Sequence, residues 1–513
     1  MATVALKSAE GKWIMVSAIL ASAMAFIDST ALNVVLPSLQ KSLNATGTDL
    51  FWLLNAYLLM LASLILIGGS LGDKLGRKKI FMLGIFIFII GSAACGFAPS
   101  VFLLIVFRII QGIGGALMIP GSLSLISSSI NENERGKAIG TWSAITTMVT
   151  IGGPVLGGTL GDAGLWRYIF FINVPIGLAA LIILSLKVKE SQNENEDQAI
   201  DIWGAITIAL SLALLTFGFL RIPAIGFHHP QVYITLPLGI LLLIAFLLIE
   251  KKSKHPMMPL YLFTNATFTG VNLLTFFLYA GLAAGMLFLS LNLVQVQGYS
   301  QLQSGLTFLP FTILMITIAR YAGSIADKHG PRLLLIIGPA IAGAGLLMLS
   351  FVKQTTGPGA YWTTFFPGIL IFGLGMSLTV APLTATVMGS VRDHLSGTAS
   401  GVNNALTRIS NVFANAIFGA LAVLFFAGAL QEKITYIPLD TNIKQAVVAE
   451  AVNLGNAKVP PVVDSKNKST IEHAYHESFI HAFADIMRIS AGLGFLGALM
   501  SFIFIKNTAV KKQ

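Results

Sequence analysis

The sequence has few charged residues. Only 11% of its 513 residues are Asp, Glu, Lys or Arg, whereas 55% are hydrophobic. A soluble protein carries roughly 25% charged residues, so this chain lacks the polar surface that water requires. Its single cysteine, Cys95, excludes an intrachain disulfide. The mean hydropathy of +0.80 and recurrent apolar runs predict membrane-spanning helices, because about 20 apolar residues cross the hydrocarbon core.

Signatures of several other function classes are also missing. The sequence has no glycine-rich loop ending in Gly-Lys-Ser or Gly-Lys-Thr, which argues against nucleotide-driven transport. It has no grouping of nucleophile and base on one predicted face, and its eight histidines show no metal-ligand spacing. The net charge of +10 is divided among short segments between apolar runs, which argues against nucleic acid as a partner. We therefore expect neither an enzyme nor a metal or cofactor protein, and a monomer whose main partner is the lipid bilayer.

Fourteen apolar spans are predicted, and they make the chain an all-α polytopic membrane protein. Their centres lie near residues 25, 60, 88, 112, 149, 177, 212, 240, 279, 313, 343, 374, 413 and 493. Alternate loops on the side of the N-terminus hold about 19 lysines and arginines, and the short loops opposite hold about four. The positive-inside rule therefore predicts that both termini are cytoplasmic in a plasma (inner) membrane protein.

An internal repeat divides the chain. The stretch "GGSLGDKLGRKK" (68–79) follows the second span, and "AGSIADKHGPRL" (322–333) follows the tenth, with Asp327 at the position of Asp73. If the seventh and eighth spans are an insertion, each charged stretch lies between the second and third helices of a six-helix half. The predicted regions are an N-terminal half (1–190), a linker with two additional spans (191–256) and a C-terminal half (257–513) with an outer loop at 429–479.

Parallel six-helix halves are typical of the major facilitator architecture, and three further stretches narrow the resemblance. "IDSTALNVVLP" (27–37) resembles the first-helix signature of the fourteen-spanner drug:proton antiporters, "RIIQGIGGA" (108–116) resembles their fourth-helix motif, and "GGPVLGGTLG" (152–161) is similar to the fifth-helix motif of exporters. The resemblance covers nearly the whole chain. It implies a major facilitator fold, two six-helix halves plus two extra spans.

Two residues are the candidates for proton coupling. Asp28 lies near the middle of the first apolar run, where a charge costs at least about 2.5 kcal/mol and must face a cavity or a partner. The predicted partner is Arg108 of the fourth span, which keeps its proton and can only stabilise or release the aspartate. A static ion pair that locks the two helices is the alternative interpretation.

Other residues are assigned to the cavity or to conformational change. Polar and aromatic side chains in spans predict a substrate cavity, with interhelical hydrogen bonding as the alternative; they are Asn33, Tyr57, Gln111, Asn272, Phe276, Asn292, Asn404, Arg408 and Asn411. The repeat predicts a latch between the two halves, with Gly69, Asp73, Gly76, Arg77, Asp327 and Gly330. The resemblance implies a hinge at the fifth-helix motif, with a purely structural packing role as the alternative; its residues are Gly153, Pro154, Gly157 and Gly158. Asp73 is expected to face the start of a helix near residues 396–400.

The resemblance implies a proton-coupled antiporter, driven by the proton gradient, that exports lipophilic monocationic or neutral drugs from the cytoplasm. Two alternatives remain open at this point. A dedicated exporter of one metabolite, fatty acid, peptide or siderophore would use the same fold. A membrane sensor or an enzyme with a transporter-like body would need an attached soluble domain or a catalytic constellation, and no Ser/His/Asp or Cys/His grouping converges on one predicted face.

Overall fold

The structure is a computed structural model that describes residues 4–190, 201–392 and 395–505, apart from some side chains within helices, Asp73 and Asp327 among them. Seventeen α-helices form the described part. They are α1 (Ala9–Leu43), α2 (Gly47–Leu75), α3 (Arg77–Phe97), α4 (Val101–Ser129), α5 (Glu132–Asp162), α6 (Tyr168–Phe171), α7 (Asn173–Lys187), α8 (Ile202–Ile225), α9 (Pro230–Lys252), α10 (Ala266–Gln295), α11 (Gln301–Thr307), α12 (Leu309–His329), α13 (Arg332–Leu349), α14 (Phe365–Gly389), α15 (Ser396–Thr435), α16 (Thr441–Ala449) and α17 (Ser465–Phe504). Short 3-10 helices cover Leu260–Thr264, Pro358–Thr363 and Glu450–Asn456.

The predicted membrane architecture is confirmed. Within the described residues, 13 helical segments are long and apolar enough to cross a bilayer, and they coincide with thirteen of the predicted spans. The remaining predicted span, centred near residue 149, falls on α5, a helix of 31 residues. The fold is an all-α membrane fold, and the count of fourteen spans stays a prediction.

Both copies of the repeated stretch break the helix in the same way. Gly76, between α2 and α3, has a φ of +107°, and Gly330, between α12 and α13, has a φ of +86°. Only glycine adopts such backbone angles without strain. The two glycines occupy equivalent positions of the sequence repeat, so the structure repeats the helix–break–helix geometry that the sequence repeats.

One compact unit comprises Met1–Val35, Trp52–Leu215 and Pro237–Leu260. In it, α3 packs against α4 and α7. A Cβ added to Gly114 of α4 would lie 2.4 Å from the backbone nitrogen of Phe88 in α3. The small residue lets the two backbones approach closely, which is how helices associate where lipid supplies no hydrophobic driving force.

The second unit comprises Leu36–Phe51, Thr216–Leu236 and Tyr261–Gln513. Helix α10 packs against α15 and α17, and α13 packs against α14 and α17. The segment at 429–479, predicted to be an outer loop, is folded: α16 and the 3-10 helix that follows it lie between α15 and α17 in the sequence. Gln40, at the end of α1, accepts hydrogen bonds from Asn456 Nδ2 at 2.8 Å and from Gln295 Nε2 at 3.0 Å.

The two additional spans are longer than the sequence indicated. Their apolar runs predicted helices near 203–220 and 232–249, whereas α8 continues to Ile225 and α9 continues to Lys252. Glu250 therefore lies inside the last turn of α9 and not in a loop. The charged residues Glu250, Lys251 and Lys252 end the apolar pattern of the sequence, whereas the helix continues through them.

Candidate functional site

A buried charge cluster joins α1 to α4. Asp28 of α1 is 0% exposed and Arg108 of α4 is 1% exposed. Arg108 Nη1 donates to Asp28 Oδ2 at 2.5 Å, and Gln111 Nε2 donates to Asp28 Oδ1 at 2.9 Å. Arg108 Nη1 also donates to Gln111 Oε1 at 2.8 Å. Both carboxylate oxygens of Asp28 are bound, so the site holds a desolvated ion pair with one amide bridging its members.

Glycines position the polar residues of α4. Arg108 and Gln111 are three residues apart and share one face of the helix. A Cβ added to Gly112 would lie 2.6 Å from the carbonyl oxygen of Tyr57 in α2, and one added to Gly91 in α3 would lie 2.7 Å from the backbone nitrogen of Gln111. These close approaches hold α4 against α2 and α3, and Arg108 and Gln111 are thereby fixed in front of Asp28.

Tyr57 belongs to this cluster. Its ring centroid lies 4.3 Å from Arg108 Cζ, and the ring of Phe170 lies at 6.0 Å. The side chain of Tyr57 is only 2% exposed, so its aromatic face is covered by the guanidinium. A cation over an aromatic face is stabilised by about 0.5–2 kcal/mol, most when desolvated. The contact of Tyr57 with Arg108 could not be predicted from the sequence, because aromatic residues are common in spans and one of them does not stand out.

The cluster can therefore hold Arg108 in two ways. While Asp28 is charged, the ion pair dominates. If Asp28 takes up a proton, the Tyr57 ring and Gln111 Oε1 still stabilise the guanidinium, and the carboxyl group keeps Gln111 as a donor. A neutral Asp28 would therefore not leave the guanidinium without contacts in an apolar interior.

The polar residues of the second half lie in different environments. Asn403 Nδ2 donates to Asn272 Oδ1 at 3.0 Å and to Thr275 Oγ1 at 2.8 Å, which favours the interhelical alternative for Asn272. Asn292 is 0% exposed, and neither of its amide atoms has a hydrogen-bond partner within the described ranges. Phe276 makes edge-to-face contacts with Phe277 and Phe413.

The remaining cavity candidates are more accessible. Asn404 is exposed and donates to the Ser400 carbonyl at 3.1 Å. Arg408, Asn411 and, in α1, Asn33 are half-buried. Asn404, Arg408 and Asn411 lie on α15, and the contact of all four side chains with a substrate stays a prediction.

Glu190, which was not predicted from the sequence, contacts the first copy of the repeated stretch (residues 68–79), here called the signature loop. Glu190 accepts hydrogen bonds from the backbone nitrogens of Lys78 and Lys79 at 2.9 and 3.1 Å, at the start of α3. A carboxylate at a helix N-terminus is stabilised by the free amides and the helix dipole. The residues are more than a hundred positions apart, so no local pattern predicted the contact. The predicted partner of Asp73 stays a prediction, because its side chain lies outside the described residues.

The fifth-helix motif packs against the helix that carries Asp28. A Cβ added to Gly153 would lie 1.9 Å from Thr30 Oγ1, and one added to Gly157 would lie 2.4 Å from the carbonyl oxygen of Ala31. Gly158 is buried as well, and Pro154 lies inside α5. The motif is therefore a packing surface beside the charge cluster, and its role as a hinge stays a prediction.

This contact predicts a position-specific effect of an added methyl group. We expect Gly157→Ala to destabilise the protein by about 1–3 kcal/mol through overpacking and to reduce transport. Gly152→Ala is the matched control, because a Cβ there meets nothing within 4 Å. The melting temperature of each purified variant measures the effect. Equal melting temperatures for the two variants would contradict the close contact of α1 and α5.

Comparison with known proteins identifies the family. The family model of the Major Facilitator Superfamily matches residues 18–415. The tetracenomycin C resistance and export protein of Streptomyces glaucescens is 27% identical over 93% of this chain and 88% of its own length. The multidrug resistance protein Stp of Mycobacterium tuberculosis is 30% identical over 84% and 80%. The methylenomycin A resistance protein of Bacillus subtilis is 29% identical over 82% and 90%.

Solved structures show the same fold. An inward-facing bacterial homolog of the human lysosomal transporter Spinster superimposes with a TM-score of 0.66, at 17% identity, over 97% of this chain and 98% of that one. A D-xylose–proton symporter superimposes with a TM-score of 0.58, at 17% identity, over 97% and 98%. With its helical fold, its repeated signature loop and this family match, the chain belongs to the Major Facilitator Superfamily and is a multi-pass membrane transporter, not an enzyme.

Proposed function

We propose that the protein is a proton-coupled antiporter that exports drugs from the cytoplasm across the plasma membrane. The observation that carries this proposal is the Asp28 carboxylate, fully buried and bound on both oxygens by Arg108 and Gln111. The relatives are named for resistance and export, which supports an outward direction. The energy source is the proton gradient, and no resident cofactor takes part.

The coupling follows from competition for one carboxylate. A cationic substrate and a proton both neutralise Asp28, and each thereby weakens the ion pair between Asp28 and Arg108. A buried carboxylate without a partner is costly, and the proton, the cationic substrate or Arg108 can each be that partner. In the two loaded states Arg108 keeps its contacts with the Tyr57 ring and Gln111 Oε1. The exchange of a substrate for a proton at Asp28 therefore needs no second coupling group.

A dedicated exporter of a single compound is the second candidate. Two of the relatives are named for one compound each, tetracenomycin C and methylenomycin A. The charge cluster would work in the same way for such a cargo. Only the breadth of the substrate range separates this candidate from a multidrug exporter.

The proposal is tested by export from inverted membrane vesicles that contain the full chain. An imposed proton gradient is expected to drive accumulation of ethidium, and a protonophore is expected to abolish it. A panel of structurally unrelated dyes and antibiotics then distinguishes a multidrug exporter from a dedicated one. Accumulation of ethidium that is unaffected by the protonophore would contradict proton coupling.

The charge of the cargo is a separate prediction. The predicted spans nine to thirteen contain no Asp or Glu within their apolar runs, so they offer no second carboxylate beside Asp28 to a cation. A rigid dication would leave one charge unpaired in a low-dielectric cavity, at a cost of several kcal/mol. We expect ethidium to be exported and pentamidine to be exported poorly, measured as initial rates in the same vesicles. Equal rates at matched concentrations would contradict this prediction.

A further inference from the structure

Two carboxyl groups meet where α8 begins and α9 ends. Asp201 directly precedes α8, and Glu250 lies in the last turn of α9. A Cβ added to Gly204 would lie 2.9 Å from Glu250 Oε1 and 3.0 Å from Asp201 Cγ. The two groups therefore adjoin one point beside the first turn of α8. This site is separate from the Asp28 cluster, and nothing in the proposed transport cycle uses it.

Each carboxyl group has one bound oxygen and one that is not. Asp201 Oδ1 accepts a hydrogen bond from the Gly204 nitrogen at 2.8 Å, and Glu250 Oε2 accepts one from the Met258 nitrogen at 2.9 Å. Asp201 Oδ2 and Glu250 Oε1 are buried and lack a hydrogen-bond partner in the part of the chain that the structure describes. Glu250 is only 2% exposed, so its second oxygen is directed into the protein and away from water.

The charged residues near the pair that the structure describes do not compensate it. Lys251 and Lys252 follow Glu250 on α9, and both are exposed. Lys254 and His255, in the segment after α9, are exposed as well. The charged side chain that acts on Glu250 is Asp201, which has the same sign. Two adjacent carboxylates without a counter-ion repel each other, and their desolvation makes the repulsion stronger.

We propose that Asp201 and Glu250 together bind one proton, which fastens the start of α8 to the end of α9. The proton comes from water on this face of the membrane and forms an O–H bond at Glu250 Oε1. The new hydroxyl donates to Asp201 Oδ2, so one proton provides a partner for both unbound oxygens and removes the repulsion. A hard divalent cation takes six or more oxygen ligands, and the pair offers two.

The bound proton also secures the chain that leads out of the additional spans. Glu250 holds the Met258 nitrogen, and the 3-10 helix Leu260–Thr264 and α10 follow. When the pair loses its proton, repulsion separates the two carboxyl groups and loosens this connection. The additional spans, which offer little polar surface to a substrate, thereby acquire a function as a pH-responsive anchor.

Infrared difference spectroscopy on the purified full-length protein tests the proposal. Spectra taken across a pH titration are expected to contain a protonated-carboxyl band that is lost in Glu250→Gln and shifted in Asp201→Asn. Glu432→Gln is the control, because Glu432 is an exposed carboxylate, and it should leave that band unchanged. A band that persists in both Glu250→Gln and Asp201→Asn overturns the proposal.

Thermal stability gives a second measurement. The melting temperature of the wild type is expected to fall by several degrees as the pH rises and the pair loses its proton. Glu250→Gln keeps an N–H donor toward Asp201 at every pH, so the additional fall is expected to vanish, whereas Glu432→Gln retains it. The same pH dependence in all three proteins contradicts the proposal. Recovery of the wild type at high pH by Na⁺, K⁺ or Mg²⁺, but not of Glu250→Gln, overturns it in favour of a cation site.

Discussion

Asp28→Asn is expected to reduce gradient-driven export to the rate measured without a gradient. Asparagine has nearly the same shape and keeps an acceptor for Gln111 Nε2, which now donates to Asp28 Oδ1 at 2.9 Å. It cannot bind or release a proton, and it leaves Arg108 to the Tyr57 ring and to Gln111 Oε1. The variant should therefore fold and retain some, weaker substrate binding, and substrate accumulation in inverted vesicles with and without a gradient measures the loss of coupling.

Asp440→Asn is the control for this experiment. Asp440 is exposed, precedes α16 and makes no side-chain capping bond, so its replacement removes the same charge without touching a buried pair. We expect export by this variant at the rate of the wild type. Gradient-driven export by Asp28→Asn at that same rate would show that the coupling proton is carried elsewhere.

Arg108→Gln is expected to destabilise the protein by about 3–5 kcal/mol, because it leaves the Asp28 carboxylate buried without its cation. The double variant Asp28→Asn/Arg108→Gln removes both charges and should recover most of that loss, since two neutral amides can hydrogen-bond in the same space. Neither variant should export, because neither has the Asp28–Arg108 ion pair on which the proposed coupling depends. Melting temperatures of the purified proteins and vesicle export measure the two effects.

Arg392→Gln controls for the loss of a positive charge. Arg392 is exposed, so its removal should change the melting temperature little. If Arg108→Gln melts at the temperature of the wild type, the ion pair contributes nothing to stability and the static-bridge interpretation is excluded. If the double variant is no more stable than Arg108→Gln, Asp28 and Arg108 are not coupled as the geometry requires.

Much of this organisation could be predicted because the membrane restricts which residues a spanning helix contains. Apolar runs mark the spans, and a charge inside one must find a partner. On that argument Arg108 was predicted to be the partner of Asp28, and the structure places Arg108 Nη1 2.5 Å from Asp28 Oδ2. The sequence repeat places Gly76 and Gly330 at equivalent positions, and both have positive φ angles.

The contacts that sequence reasoning missed have two physical causes. Tyr57 and Glu190 act through tertiary approach, which no spacing along one helix encodes; Tyr57 needs α2 and α4 to meet at Gly112. Glu250 was hidden by composition, because the lysines that follow it made the end of a helix resemble a loop. Asn272 and Asn403 form an interhelical pair, and a polar stripe in the sequence is equally consistent with a cavity wall.

Proton release on substrate binding tests the central claim most directly. Purified protein in a weakly buffered solution is mixed with ethidium, and the pH is followed with an indicator dye. If the substrate displaces a proton from Asp28, the wild type should acidify the solution, most strongly at a pH where the carboxyl group is protonated before binding. Asp28→Asn, given enough ethidium to compensate for its weaker binding, should bind it without acidification. Equal proton release from the wild type and Asp28→Asn would contradict the account.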